Sequence, residues 1–420
     1  MASLTGSILK PESARAENPL RVFLIGFVIV GLIGLSVVQM VAKSTTHQRD
    51  LRTYYFAATA FKTGLNPYDQ GILAQLSGDQ LIHPFVYPPL VLPILLSLTA
   101  FKFSTVYYLF LSAKLLALIA ISWIWRKDFV PEMGAMFFLF AALAFNAALY
   151  VDIQVGNISV FEQLLIWLGF HFLLQRKAGL FSALIIVVAS FKIAPLVFLG
   201  LVLLASEPRK YRTLTISLAA FVLLQAMSYL VFPRLSVAFM GNLAGLDERG
   251  VLNPSSFALL SDGFDFLASE LDWRVPAMVP TGVFGVAAAA IVGLSLPRLR
   301  MLSRGGNLTG AICLASLVFA LANPRFKAYS YILVIVPTYV AVANVSLRTA
   351  MSSRIAAITR GVPVILMMVL SSLYLVAYGN RLVESNLLGY SPLVAAFLAW
   401  GLYLAGRPEL PLAAPEGLGH

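Results

Sequence analysis

Charged residues are few in this chain: Asp, Glu, Lys and Arg together make up 12% of 420 residues, whereas 59% are hydrophobic and the mean hydropathy is +0.85. A soluble domain carries about twice that charged fraction, so a solvated shell cannot be assembled and lipid is the expected solvent. Cysteine is scarcer still. The single one, Cys313, lies inside an apolar run, which excludes a disulfide within the chain and a cysteine-based metal cluster. The four histidines, at 47, 83, 171 and 420, are too dispersed for a zinc centre. HExxH, Walker and dinucleotide motifs are all absent, and the carboxylates show no metal-coordination spacing. The formal charge of +11 does not point to nucleic acid, because the basic residues are scattered between apolar runs instead of forming a stripe.

What the chain has in abundance is long apolar stretches, among them Arg21–Met40, Phe103–Trp125, Met133–Tyr150 and Pro276–Leu296. Each approaches the roughly 20 residues with which a helix crosses about 30 Å of hydrocarbon. Spans are predicted at 21–43, 104–125, 132–149, 158–174, 178–191, 193–205, 213–232, 276–296, 308–322, 329–345, 361–378 and 390–406. The expected fold is an all-α polytopic membrane protein with about a dozen transmembrane helices. Residues 1–20 read as a cytoplasmic tail, 21–345 as a transmembrane core, 346–406 as C-terminal transmembrane helices and 407–420 as a second cytoplasmic tail. The first run lacks a small-residue cleavage site and is read as a retained helix. Lys192 and Pro195 interrupt 178–205, which predicts a hairpin of tilted or broken helices. Pro88–Phe101 is too short to cross and opens on two prolines, so it is assigned as a re-entrant or interfacial element.

With that assignment, the short loops on the side of the N-terminus carry the larger share of Lys and Arg, which places them inside. The long segments 44–103 and 233–275 then face outward, with the short turns at Asp152–Asn157 and Asn323–Lys327 and with Lys192. Polar groups at the edges of apolar spans are costly and usually have a role.

Asp50 follows the first span and opens a stretch in which Tyr54, Tyr55, Ala58 and Phe61 suggest an amphipathic interfacial helix ending at Gly64. It reads either as a cap of that helix or as a base tethered where a lipid-borne substrate arrives. Lys192 has no acid near it in sequence; it either snorkels or binds a phosphate. Arg325 and Lys327 either anchor a helix at headgroups or join Lys192 in a clamp on a phosphodiester. Gln154 and Asn157 flank Gly156, and their amides suit sugar hydroxyls, with Asp152 adding a carboxylate; the alternative is a plain helix-terminal turn.

The ordered pieces Asp50 with Tyr54-Tyr55-Phe56-Ala57, Gly64-Leu65-Asn66-Pro67-Tyr68, Tyr87-Pro88-Pro89-Leu90, Gln154-Val155-Gly156-Asn157, Phe191-Lys192-Ile193-Ala194-Pro195, Asn253-Pro254-Ser255-Ser256 and Asn323-Pro324-Arg325-Phe326-Lys327-Ala328-Tyr329 resemble glycosyltransferase family 87, over about residues 20–345. The resemblance implies a C-type membrane architecture and transfer, with inversion, from a polyprenyl-phosphate sugar to a glycolipid or glycan acceptor, with no cofactor. It implies Asp50 as the catalytic base, Lys192, Arg325 and Lys327 on the phosphate, and Gln154, Asn157, Tyr54, Tyr87 and Asp152 in substrate binding. Mannose is the favoured sugar, with arabinofuranose or another as the alternative. Some mannosyltransferase members carry histidine where this chain has Asn323–Tyr329, which leaves phosphate binding as the role of Arg325 and Lys327. The expected setting is a bacterial plasma membrane, with the site on the periplasmic or extracellular side. A lipid transporter or flippase is the competing class; it favours paired halves, and the sequence has no internal repeat.

Overall fold

The computed structural model describes residues 48–205, 208–245, 248–272, 275–276, 278–349, 354–375 and 386–406. The expected first span, both tails, His47, Asp247 and His420 lie outside them, and the expected span 361–378 is described as far as 375. Among the described residues the secondary structure is helical throughout. Two short helices come first, α1 (Arg49–Lys62) and α2 (Gln70–Ser77), and then a tightly wound segment, Pro89–Ala100. The bundle follows as α3 (Phe103–Asp128), α4 (Ala135–Val155), α5 (Ser159–Leu174), α6 (Ala178–Phe191), a 3-10 stretch (Ala194–Leu203) and α7 (Lys210–Val231). The 233–275 segment, read from sequence as a loop, folds into α8 (Pro233–Ala244) and α9 (Ser256–Glu270). Then come α10 (Met278–Arg304), α11 (Leu308–Ala322), a 3-10 stretch (Ala328–Val334), α12 (Ile335–Thr349), α13 (Arg354–Leu370) and α14 (Ser391–Ala405).

Five of these elements are long and apolar enough to cross a membrane: α3, α4, α7, α10 and the Leu387–Ala405 stretch. At the expected spans 158–174, 178–191, 193–205, 308–322 and 329–345 stand apolar helices with nearly the expected bounds, shorter than those five and packed beside them. The protein is therefore a polytopic membrane protein. The apolar pattern explains which helices lie inside. In α3 the buried stripe is Tyr107, Lys114, Ala117, Ile121, Ile124 and Trp125, spaced at three, four and seven residues. By contrast α7 and α10 leave most of their apolar surface uncovered, as lipid-facing helices do. At the end of the bundle remote from α1, Trp125 meets Trp167 edge to face at 5.7 Å, and Phe129 meets the same Trp167 at 4.8 Å.

Two departures from regular helix shape the bundle. In mid-α4, Phe145, Asn146 and Ala147 take left-handed backbone at φ 57°, 55° and 54°, a conformation that costs roughly 1–2 kcal/mol per residue for a side chain other than glycine. The groups freed there are bonded by the residues after α13. The Phe145 N–H donates to Ser371 Oγ at 3.0 Å, the Asn146 N–H to Ser371 O at 3.2 Å, and Ser372 Oγ donates to Leu143 O at 2.5 Å. The C-terminal helices are thus built into the core. The second departure is at Lys192, which is extended between α6 and the stretch opened by Pro195, as expected from a proline that cannot continue the helix.

A smaller apolar core sits over one end of the bundle, made by Leu51, Tyr54, Tyr68, Phe85, Tyr87, Val91 and Tyr107. It fastens α1, α2 and Pro89–Ala100 to α3. The short Pro89–Ala100 element accordingly packs beside α1 and does not form a full span.

Candidate functional site

Asp50 lies in the first turn of α1, where a carboxylate is favoured by the helix dipole. It does not cap the helix: Gln48 is the N-cap residue, and Asp50 Oδ2 accepts from Asn157 Nδ2 at 2.5 Å. The start of α1 is fixed by Gln48, whose amide donates to the backbone oxygens of Ile153 (2.9 Å) and Gln154 (3.2 Å) at the end of α4. Gly156 makes this approach possible. Its φ is +72°, and a Cβ there would stand 2.5 Å from Gln48 Oε1 and 3.0 Å from Leu51 Cβ.

Asn157 also donates to the Tyr54 hydroxyl (3.0 Å), which in turn shares a hydrogen bond with the Tyr87 hydroxyl (2.9 Å). Tyr54 therefore faces the interior, 3% exposed, instead of sitting at the headgroup level suggested by its place in an interfacial helix. Burial raises the Tyr54 hydroxyl well above its usual range, with Tyr87 and Asp50 adding to the effect; burial likewise pushes Tyr87 to about 12, against the pull of Lys192. Both hydroxyls stay protonated. The Asn66-Pro67-Tyr68 turn supports this wall, since the Tyr68 hydroxyl donates to Tyr87 O at 2.7 Å.

Lys192 is not alone, although no acid adjoins it in sequence. Its ammonium donates to Glu162 Oε2 at 2.8 Å and Ser159 Oγ at 3.2 Å, both in the first turn of α5. The rings of Tyr87 and Tyr329 lie 5.9 and 5.5 Å from it, within cation–π range. Lys327 stands 5.8 Å from the same Tyr329 ring, so Lys192 and Lys327 share one aromatic neighbour.

Arg325 and Lys327 converge on Glu248. Arg325 donates twice to Oε2 (3.0 and 2.7 Å) and Lys327 to Oε1 (2.8 Å). Burial works to raise the Glu248 carboxyl, but Lys327 and Arg325 overcome it and hold the group below its usual range. Local sequence builds this hook. Asn323 is extended, as the residue before Pro324 must be, and its side-chain oxygen accepts from the Arg325 N–H at 3.1 Å. The Asn253–Ser256 piece braces it: Asn253 Oδ1 accepts from the Phe326 N–H (2.9 Å) and Ser255 Oγ donates to Pro324 O (2.7 Å).

Asp152 is the site residue whose placement differs most from expectation. It is not on the turn but in the last turn of α4, 0% exposed, and Lys114 Nζ binds its Oδ1 at 2.6 Å and its backbone oxygen at 2.7 Å. This carboxylate, so enclosed, ties the end of α4 to α3. Gln154 is half-buried with its side-chain amide unengaged by any residue among those described. Three participants lacked an assigned role in the sequence: Glu162, Ser159 and Glu248. Glu162 carried a signal, being the one acid in the apolar run 158–174. Among the described residues no group of His, Cys, Asp and Glu is arranged to hold a metal ion.

Asp50, three basic side chains and the surrounding tyrosines and amides are gathered at one end of a polytopic helical bundle. A family model for glycosyltransferase family 87 matches residues 85–324, more than half of the chain, and the protein belongs to that family. It is a glycosyltransferase acting at a membrane interface. Tyr87, Asp152, Gln154, Asn157 and Lys192 lie inside the matched stretch; Asp50 and Tyr54 precede it, and Arg325 and Lys327 follow its last residue. No curated protein and no solved structure matches the chain.

Proposed function

We propose that the protein is an inverting glycosyltransferase that moves a sugar, mannose in the favoured reading, from a polyprenyl-phosphate donor to a hydroxyl of a glycolipid or glycan acceptor, on the outward face of a bacterial plasma membrane. The observation that carries this reading is the gathering, in one cluster of linked contacts, of Asp50 and three cations. Glu162 is engaged by Lys192 and Glu248 by Arg325 and Lys327. Asp50 accepts one hydrogen bond, at Oδ2, and among the described residues its Oδ1 has no donor.

The acceptor oxygen bonds to the anomeric carbon while the bond from that carbon to the phosphate oxygen breaks with its electron pair. Asp50 takes the acceptor's proton, and polyprenyl phosphate departs with added negative charge. Lys192 and Lys327 meet that charge as mobile ammonium groups, and Arg325 as a planar fork. With Asp50 acting as base, and with the other carboxylates of the cluster among the described residues, Glu162 and Glu248, engaged by cations, a second carboxylate to serve as nucleophile is not at hand, and a single displacement inverts the anomeric carbon. Positioning and electrostatic stabilisation are sufficient for this chemistry.

The test is release of polyprenyl phosphate by purified protein in lipid nanodiscs, supplied with polyprenyl-phosphate [14C]mannose and a glycolipid acceptor. Asp50→Asn should lower release by about 10²–10⁴-fold with an unchanged melting temperature. Retained activity removes Asp50 from catalysis. Vectorial lipid movement in vesicles without release identifies a transporter instead.

A further inference from the structure

Asn157 carries an amide suited to sugar hydroxyls, yet its hydrogen-bonding capacity is already filled. An amide offers two N–H donors and two acceptor positions. The donors go to Asp50 Oδ2 (2.5 Å) and the Tyr54 hydroxyl (3.0 Å); the oxygen accepts from the Ser159 N–H (3.0 Å) and Ser159 Oγ (2.8 Å). The orientation of the amide is unambiguous, because the Ser159 backbone N–H can only donate and so requires the oxygen on its side.

Ser159 is the junction. Its hydroxyl has one proton and two acceptors in range, Asn157 Oδ1 at 2.8 Å and Glu162 Oε2 at 3.3 Å. Lys192 already donates to Glu162 Oε2 at 2.8 Å and to Ser159 Oγ at 3.2 Å, so the hydroxyl proton belongs to Asn157. An unbroken chain results, Glu162–Lys192–Ser159–Asn157–Asp50, crossing the starts of α5 and α1 and the break after α6. Its middle members are nearly sealed from solvent, with Asn157 2% and Ser159 1% exposed.

We propose that Asn157 and Ser159 are positioning residues for the base: Asn157 holds Asp50 by Oδ2 so that Oδ1 takes the acceptor's proton, and Ser159 fixes the amide and ties it to Lys192. This rests on the reading of Asp50 as the base. Losing the amide frees the carboxylate to turn away from the acceptor, which costs the chemical step more than the binding of either substrate. The other groups that feel the charge of Asp50 are Tyr54 on α1, Tyr87, Lys114 on α3, and Lys327 and Tyr329; the substitutions below leave all of them in place.

The experiment compares kcat, the KM of donor and acceptor, and the melting temperature for the wild type, Asn157→Ala, Asn157→Asp and Ser159→Ala in the release assay. Both Asn157 variants should lose about tenfold or more in kcat with each KM within about twofold. The loss should be larger in Asn157→Asp, where a second carboxylate repels the first. Ser159→Ala should lose kcat in the same way by less. A raised KM with kcat kept would make Asn157 a sugar ligand, and a loss of kcat matched by an equal loss of folded protein would make it merely structural; either overturns the proposal. If the Asn157 variants fail to fold, an unchanged kcat in Ser159→Ala overturns it alone. Full activity of Asp50→Asn defeats the reading beneath; an inactive Asp50→Asn with unchanged kcat in the Asn157 and Ser159 variants defeats the positioning role alone.

Discussion

Lys192 and Glu162 stand thirty residues apart in the chain and 2.8 Å apart in the fold, and the pairing explains how a lysine persists at a helix break inside an apolar run. A buried charge without a partner is expensive; here Glu162, Ser159 and two aromatic rings surround it. The same logic governs Glu248, which lies between Arg325 and Lys327. Its carboxyl is held below its ordinary value of 4.5, so its contribution to stability is complete above that value and is lost as pH falls through the lowered one. Thermal unfolding in detergent should therefore show that Glu248→Gln narrows the gap to wild type as the medium is acidified below pH 4.5. A gap independent of pH would contradict the ion pairs. Because Glu248 neutralises the cations assigned to the donor phosphate, the same variant should also bind a polyprenyl phosphate more tightly, by about 2–10-fold, an effect measurable by titration. The sequence marked Asp50, Lys192 and Arg325 as polar groups at span edges. It left Glu162 and Glu248 without roles, because contact between distant segments depends on packing and has no local pattern.

At the scale of the element, α1 is placed by the end of α4. Gln48 bonds two α4 carbonyls, and Gly156 leaves room for it. Gly156→Ala should lower stability by more than about 1 kcal/mol, since a left-handed alanine is strained and its Cβ intrudes on Gln48 and Leu51. Activity should fall further than stability alone explains, because Asp50 moves with α1. A variant with unchanged melting temperature and rate would refute this account of the junction. The amphipathic helix at Asp50, its end near Gly64 and the break at Lys192 were legible, as each follows from local spacing or a breaker residue. The kink in α4 was not. Phe145, Asn146 and Ala147 carry no glycine or proline signal, and their left-handed backbone is sustained from 226 residues away by Ser371 and Ser372. Asp152 was misplaced for a related reason: α4 runs on to Val155 past the predicted end of its span, which draws Asp152 inside to Lys114.

For the whole molecule, the bundle segregates its chemistry. Asp50, Asn157, Lys192 and the Asn323–Lys327 hook meet at one end, while Asp128 and His171, joined at 2.5 Å, mark the ends of α3 and α5 directed away from it. The poorly covered faces of α7 and α10 set the bundle in lipid, and the smaller core of α1, α2 and Pro89–Ala100 caps the end where the polar cluster lies. A lipid-linked donor would reach such a site laterally, with its phosphate at the cations and its sugar toward Asp50. The most direct measurement is a structure of the protein in nanodiscs with a non-transferable polyprenyl-phosphate sugar analogue. The account predicts phosphate density within about 4 Å of the Lys192, Arg325 and Lys327 side chains, with the anomeric carbon facing Asp50 Oδ1. Phosphate bound at the Asp128–His171 end, or a sugar turned away from Asp50, would contradict it.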